Sequence, residues 1–156
     1  MKKTTIAALA LLAFGPAQAF EKMAQQARVA SVGGKVLVTM TVENGSGKTI
    51  YVPKAVFKDQ EVFGRIFDVL NHASRVEIGY TGPMVKRGPY TKDDYVAVKP
   101  GAKLSNTIDI TRSYAFMKGT HRYELTYSGS MLPSLDKVDE ATPVTVAPAT
   151  FSHTVK

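Results

Sequence analysis

Lys35-Val36-Leu37-Val38-Thr39-Met40-Thr41-Val42-Glu43 is the stretch that decides the fold class. Val36, Val38, Met40 and Val42 fall on one face of an extended chain, with Thr39 and Thr41 opposite. That period of two is the signature of a strand, since successive side chains point to opposite faces. Asn44-Gly45-Ser46-Gly47 follows as a turn, because Asn and Gly tolerate positive φ. Thr49–Val52 resumes the pattern and stops at Pro53, which cannot donate to a ladder. The two runs read as a hairpin.

The same signal recurs along the chain. Arg65–Leu70 and Arg75–Tyr80 are candidate strands separated by the polar Asn71-His72-Ala73-Ser74. Tyr95–Lys99 is a short strand closed by Pro100-Gly101. Leu104, Asn106, Ile108 and Ile110 share one face of the next, and His121, Tyr123, Leu125 and Tyr127 alternate with Arg122, Glu124 and Thr126. A final strand runs over Thr150–Val155. Met84–Tyr95 is irregular, held so by its Gly, Pro and charges. Ser128–Pro148, with Pro133, Pro143 and Pro148, reads as a long loop with a short strand near Val144–Val146. Only Phe57–Phe63 and Thr111–Met117 have any helical character. About seven or eight short strands with turns at this spacing predict an all-β fold, an antiparallel immunoglobulin-like sandwich.

The first 19 residues read as an export signal. Lys2 and Lys3 supply the positive start, Ile6–Phe14 the apolar segment, and Ala17-Gln18-Ala19 the small-x-small cleavage site. Cleavage is expected between Ala19 and Phe20, leaving a single domain over 20–156. The expected location is the periplasm or the medium. The apolar segment is too short for a stable membrane anchor. Loss of Lys2 and Lys3 lowers the formal charge from +7 to +5. No block of like charges remains, so nucleic acid is not an expected partner. With no cysteine the core must suffice without disulfides.

No residues stand in a spacing that points to catalysis, and no enzyme activity or cofactor is expected. His72, His121 and His153 lack the spacing that places two imidazoles on one helical face for zinc. There is no thiol, and no Gly-x-Ser-x-Gly. Gly45-Ser46-Gly47 and the formal glycosylation triplet Asn44-Gly45-Ser46 are both better read as the turn. Asp93-Asp94 is an adjacent acidic pair, and Lys86, Arg87 and Lys92 nearby balance it.

One block carries a resemblance. Gly79-Tyr80-Thr81-Gly82-Pro83-Met84-Val85-Lys86-Arg87-Gly88-Pro89 is followed by Thr91-Lys92-Asp93-Asp94-Tyr95, Lys99-Pro100-Gly101 and Thr107-Ile108-Asp109. It is similar to the N-terminal pro-region of secreted bacterial zinc endopeptidases of the deuterolysin, or peptidyl-Lys, class (aspzincins). There a tyrosine–x–Gly-Pro, Lys-Arg, an Asp-Tyr pair, Pro-Gly and a closing Asp precede the catalytic domain. The likeness extends over most of Lys35–Ser128, Val38–Asn44 with Thr49–Val52 resembling the family's early hairpin and Gly119–Tyr127 its late strand. The catalytic domain's His-Glu-x-x-His motif is missing from these 156 residues.

The resemblance implies a pro-domain travelling alone, monomeric when free. Its partner would be a secreted peptidyl-Lys-type zinc metalloendopeptidase that it inhibits, helps to fold, or both. The implied contact is Val85, Lys86, Arg87, Tyr90, Lys92, Asp93, Asp94 and Tyr95, a loop stiffened by Pro83 and Pro89. Lys86 or Lys92 would mimic the lysine such an enzyme recognises. Ser130–Pro148 is a second candidate contact. Two other readings share the fold: a non-inhibitory ligand- or carbohydrate-binding module, and a periplasmic chaperone of unfolded clients. Seven tyrosines but no tryptophan are available for stacking on sugars.

Overall fold

The structure, a computed structural model, describes residues 22–156. The expected signal peptide and its Ala19/Phe20 junction lie outside the described residues. Nine strands are present: β1 Met23–Val32, β2 Lys35–Asn44, β3 Ile50–Pro53, β4 Phe67–Asn71, β5 Tyr95–Val98, β6 Lys103–Asp109, β7 Gly119–Met131, β8 Thr142–Thr145 and β9 Ala149–Val155. All strand pairs are antiparallel. The all-β antiparallel sandwich read from the sequence is the fold observed.

One sheet has the order β1-β2-β6; in a second, β7 is flanked by β4 on one side and by β8 and β9 on the other, and β3 and β5 form a separate two-stranded sheet. Val36, Val38, Met40 and Val42 of β2 are all fully buried, as their alternation requires. They meet Ile108, Phe67, Tyr123 and Leu125 in one core. Each such aliphatic side chain contributes about 1.5–3 kcal/mol on full burial. The alternation along β7 holds too, with Tyr123, Leu125 and Tyr127 buried.

The expected hairpin of Lys35–Glu43 with Thr49–Val52 does not form. β2 pairs instead with β1 and β6, and β3 pairs with β5. The local reason is Asn44, only 1% exposed. Its Nδ2 donates to Lys48 O and Val98 O, each at 2.8 Å, and its Oδ1 accepts from Ser46 N and Oγ. This Asx turn steers the chain out of one sheet and into another. It also leaves the Asn44 amide no room as a glycan acceptor. The true hairpin is β1–β2, closed by Gly33 and Gly34 at φ 59° and 77°. Two positive φ values in a two-residue loop give the turn that matches strand twist.

Other expectations need correction. Arg75–Tyr80 makes only single bridges, Leu70 to Glu77 and Tyr80 to Tyr114. Asn71 Oδ1 accepts from Ala73 N and Ser74 N, and Arg75 sits at φ 60°, so the ladder is not regained. Ser128–Pro148 is not one loop: β7 continues to Met131, a 3-10 segment spans Leu135–Glu140, and β8 returns along β7. Pro143 is accommodated on β8, a short strand paired on the β7 side. The helix near Phe57–Phe63 shrinks to one turn, α1 Lys54–Phe57, and Thr111–Met117 is not helical.

Candidate functional site

The segment 83–94 leaves the body of the fold and is braced at both ends. At its start, Tyr80 Oη lies 3.0 Å from Val62 O and 2.7 Å from Pro83 O, and accepts from Gly64 N at 3.0 Å. Thr81 N and Gly82 N both donate to Ser113 O. A Cβ on Gly82 would lie 2.6 Å from Tyr80 Oη, so glycine is what lets the chain pass this pinned phenol.

At its end, Asp94 Oδ2 accepts from Thr91 N at 2.8 Å and Oγ1 at 3.1 Å, and Asp94 N donates back to Thr91 O. This capping box closes a 3-10 turn over Lys92–Asp94. Tyr95 then plugs into the body, only 7% exposed. Burial pushes its phenol above the usual range, against a hydrogen bond with Ser130. Tyr95 therefore supports the loop from below instead of presenting itself to a partner.

Between the braces the surface turns apolar. Met84 is 81% exposed, Tyr90 60%, Val85 56% and Phe63 39%. Phe63, Val85, Pro89 and Tyr90, with Arg87, Gly88 and Asp94, line a cleft of about 400 Å³. The Tyr90 ring is held at one wall by Tyr95, with centroids 6.1 Å apart. Large apolar side chains clustered on a rigid support mark an interaction surface. A larger recess of about 570 Å³ is lined by Lys35, Glu61, Val62, Pro83, Asp109 and Arg112 among others. There Lys35 and Asp109 pair at 3.4 Å.

The three cations of the loop differ in what holds them. Lys92 Nζ donates to Asp136 Oδ1 at 2.8 Å, and that hydrogen bond holds the Asp136 carboxyl below its ordinary range. Arg87 Nη1 lies 3.8 Å from Asp94 Oδ1. Lys86 has no ion pair among the described residues. Asp93 has none either, so the proposed local charge balance is carried by Asp94 and by the distant Asp136. The Lys92–Asp136 pair also joins the two candidate segments, since Asp136 belongs to the 3-10 segment Leu135–Glu140.

Phe63 was not among the residues singled out from sequence. It stands 22 positions before Val85, and no periodicity marks the two as neighbours. The histidines are all accounted for by ordinary partners. His72 Nδ1 lies 3.6 Å from Glu124, His121 Nε2 lies 2.9 Å from Lys118 O, and His153 Nδ1 lies 2.9 Å from Ser31 Oγ. Among the described residues no cluster of three His, Cys, Asp or Glu side chains could hold a metal ion. No helix among them is long and apolar enough to cross a membrane. No protein-family model matches the chain, and no curated protein matches its sequence.

Proposed function

We propose that this is an exported protease-binding protein that acts as an inhibitor, a folding chaperone, or both, of a secreted zinc endopeptidase of the peptidyl-Lys class. The observation that carries the reading is the braced loop 83–94, which exposes Met84, Val85 and Tyr90 and carries Lys86, a cation without an ion pair among the described residues. The resemblance of Gly79–Asp109 to the pro-region of such enzymes supplies the class of partner. An inhibitor needs a loop that loses little freedom on binding, and the Tyr80 and Asp94 braces meet that need. Lys86 is the cation free to enter an acidic pocket, whereas Lys92 is already engaged by Asp136.

The test compares Lys86→Ala with Lys92→Ala in inhibition of a purified peptidyl-Lys zinc endopeptidase. Removing one partner of a desolvated charge pair costs about 2–5 kcal/mol, so Lys86→Ala should raise the inhibition constant by tenfold or more. Lys92→Ala should change it little. Equal, small effects would remove Lys86 from the mechanism, and no inhibition or assisted folding by the wild-type protein would remove the protease reading. A second reading, a carbohydrate- or ligand-binding module, is favoured by the exposed ring of Tyr90 beside the cleft. Retention of the protein on immobilised polysaccharide, abolished by Tyr90→Ala, would decide for it.

A further inference from the structure

One side of β1 has no backbone partners among the described residues. Ile110 N donates to Val36 O, while Asn44 N donates to Ala102 O and Asn44 O accepts from Gly101 N. The even-numbered residues of β2 therefore aim their backbone groups at β6 and its flanks. Alternation along an antiparallel strand turns the odd-numbered residues of β2 toward β1. In the observed register these face Ala24, Gln26, Arg28, Ala30 and Val32. The N–H and C=O groups of Met23, Gln25, Ala27, Val29 and Ser31 consequently point away from the sheet. None has a hydrogen-bond partner among the described residues.

Natural edge strands are blunted by proline, bulges, shortness or charge. β1 has ten residues, an unbroken register, no proline and one charge, Arg28. Its inward Met23, Ala27 and Val29 are only partly buried, so the core is open along this side. At its Ser31 end β1 is tied to β9 through His153, but the Met23–Ala27 half has no such tie. A second observation falls in that half. Gln25 Oε1 is the one buried side-chain polar atom without a hydrogen-bond partner among the described residues. Such an atom calls for an explanation.

We propose that β1 pairs with β1 of a second copy of this chain, antiparallel about a twofold axis at Gln25. Met23 then exchanges backbone bonds with Ala27 of the second copy, and Gln25 with its own counterpart. The two Gln25 side chains lie directly opposite on the same face, so a rotation that carries each Oε1 out of its cover in the single chain lets it receive the other's Nε2–H. Two three-stranded sheets become one of six. Arg28 falls opposite the second copy's Lys22 at the rim, a like-charge pair that salt screens. The dimer departs from the monomer expected from sequence.

Light scattering at about 100 µM and physiological salt reads the state directly, since association depends on protomer concentration. The wild type should be a dimer. Ala27→Pro removes an outward N–H that the β1–β2 ladder does not use, so it should be a monomer with an unchanged circular dichroism spectrum. The chain has no cysteine, which permits a second, independent test. Gln25→Cys should oxidise to a covalent dimer, because directly opposite residues lie within disulfide reach. Val32→Cys, more exposed than Gln25 but far from the axis, should stay at collision background. A wild type monomeric at this concentration would overturn the proposal. So would a dimer that persists in Ala27→Pro, or one in which Gln25→Cys links no faster than Val32→Cys.

Discussion

Single residues hold the joints of this fold. Asn44 satisfies Lys48 O, Val98 O and Ser46 with one buried side chain, so Asn44→Ala strands several buried groups at once. The expected loss is roughly 2–4 kcal/mol, read as a lower urea midpoint. Tyr114 does similar work between the sheets. Its hydroxyl donates to Phe67 O at 2.7 Å and accepts from Phe67 N at 3.1 Å, and burial pushes its pKa up to about 12. His153 is the residue to watch on acidification. It is buried against Phe116, and burial lowers its pKa below the ordinary histidine value. The unfolded chain therefore binds its proton more readily than the folded one. Stability from this group is complete above about pH 6.5 and falls as the pH drops toward the folded pKa. Denaturant midpoints measured from pH 7.5 to 5 should decline, and His153→Phe should flatten that decline. The carboxylates Asp109, Glu124 and Asp136, all with lowered pKa values, act in a separate and more acid window.

Among the elements, the loop 83–94 depends on its braces. Gly82→Ala drives a methyl group into the pinned Tyr80 hydroxyl, so the start of the loop must shift. Limited proteolysis should then cut within Met84–Tyr90 faster than in the wild type, while the global urea midpoint moves far less than in Asn44→Ala. Asp136→Asn frees Lys92 but should leave stability unchanged within error, because both partners are exposed and such pairs contribute little. These elements also show what was legible in the sequence. β2, β7 and β9 declared themselves because one full face of each alternates into the core. β1 did not, because it is an edge strand whose inward side chains, Gln25 and Ala27 among them, are only half-buried. Pairing was less legible still: Val38 meets Ile108, seventy positions away, and no local signal names that partner. The cleft was half legible. Val85, Arg87 and Tyr90 lie in a stretch marked by its glycines, prolines and charges, but Phe63 reaches them only through the tertiary fold.

At the scale of the whole molecule, one continuous core joins the sheets, while their edges differ in how they are finished. The free edge of β6 is met by α1, with Asn106 Nδ2 donating to Val56 O and Asp59 O. Among the described residues the β1 edge is met by β9, toward its Ser31 end. The tie between Ser31 and His153 joins side chains 122 positions apart, and only the β1–β2 hairpin closes over a short loop. The consequence is one of timing. A chain whose pairings are mostly remote must close large loops before it gains contacts, and such β topologies fold over about milliseconds to seconds. Stopped-flow refolding should show this slow rate. A chain that delays its own folding stays threadable for longer, and in the export proposed above that time would serve passage through a narrow channel.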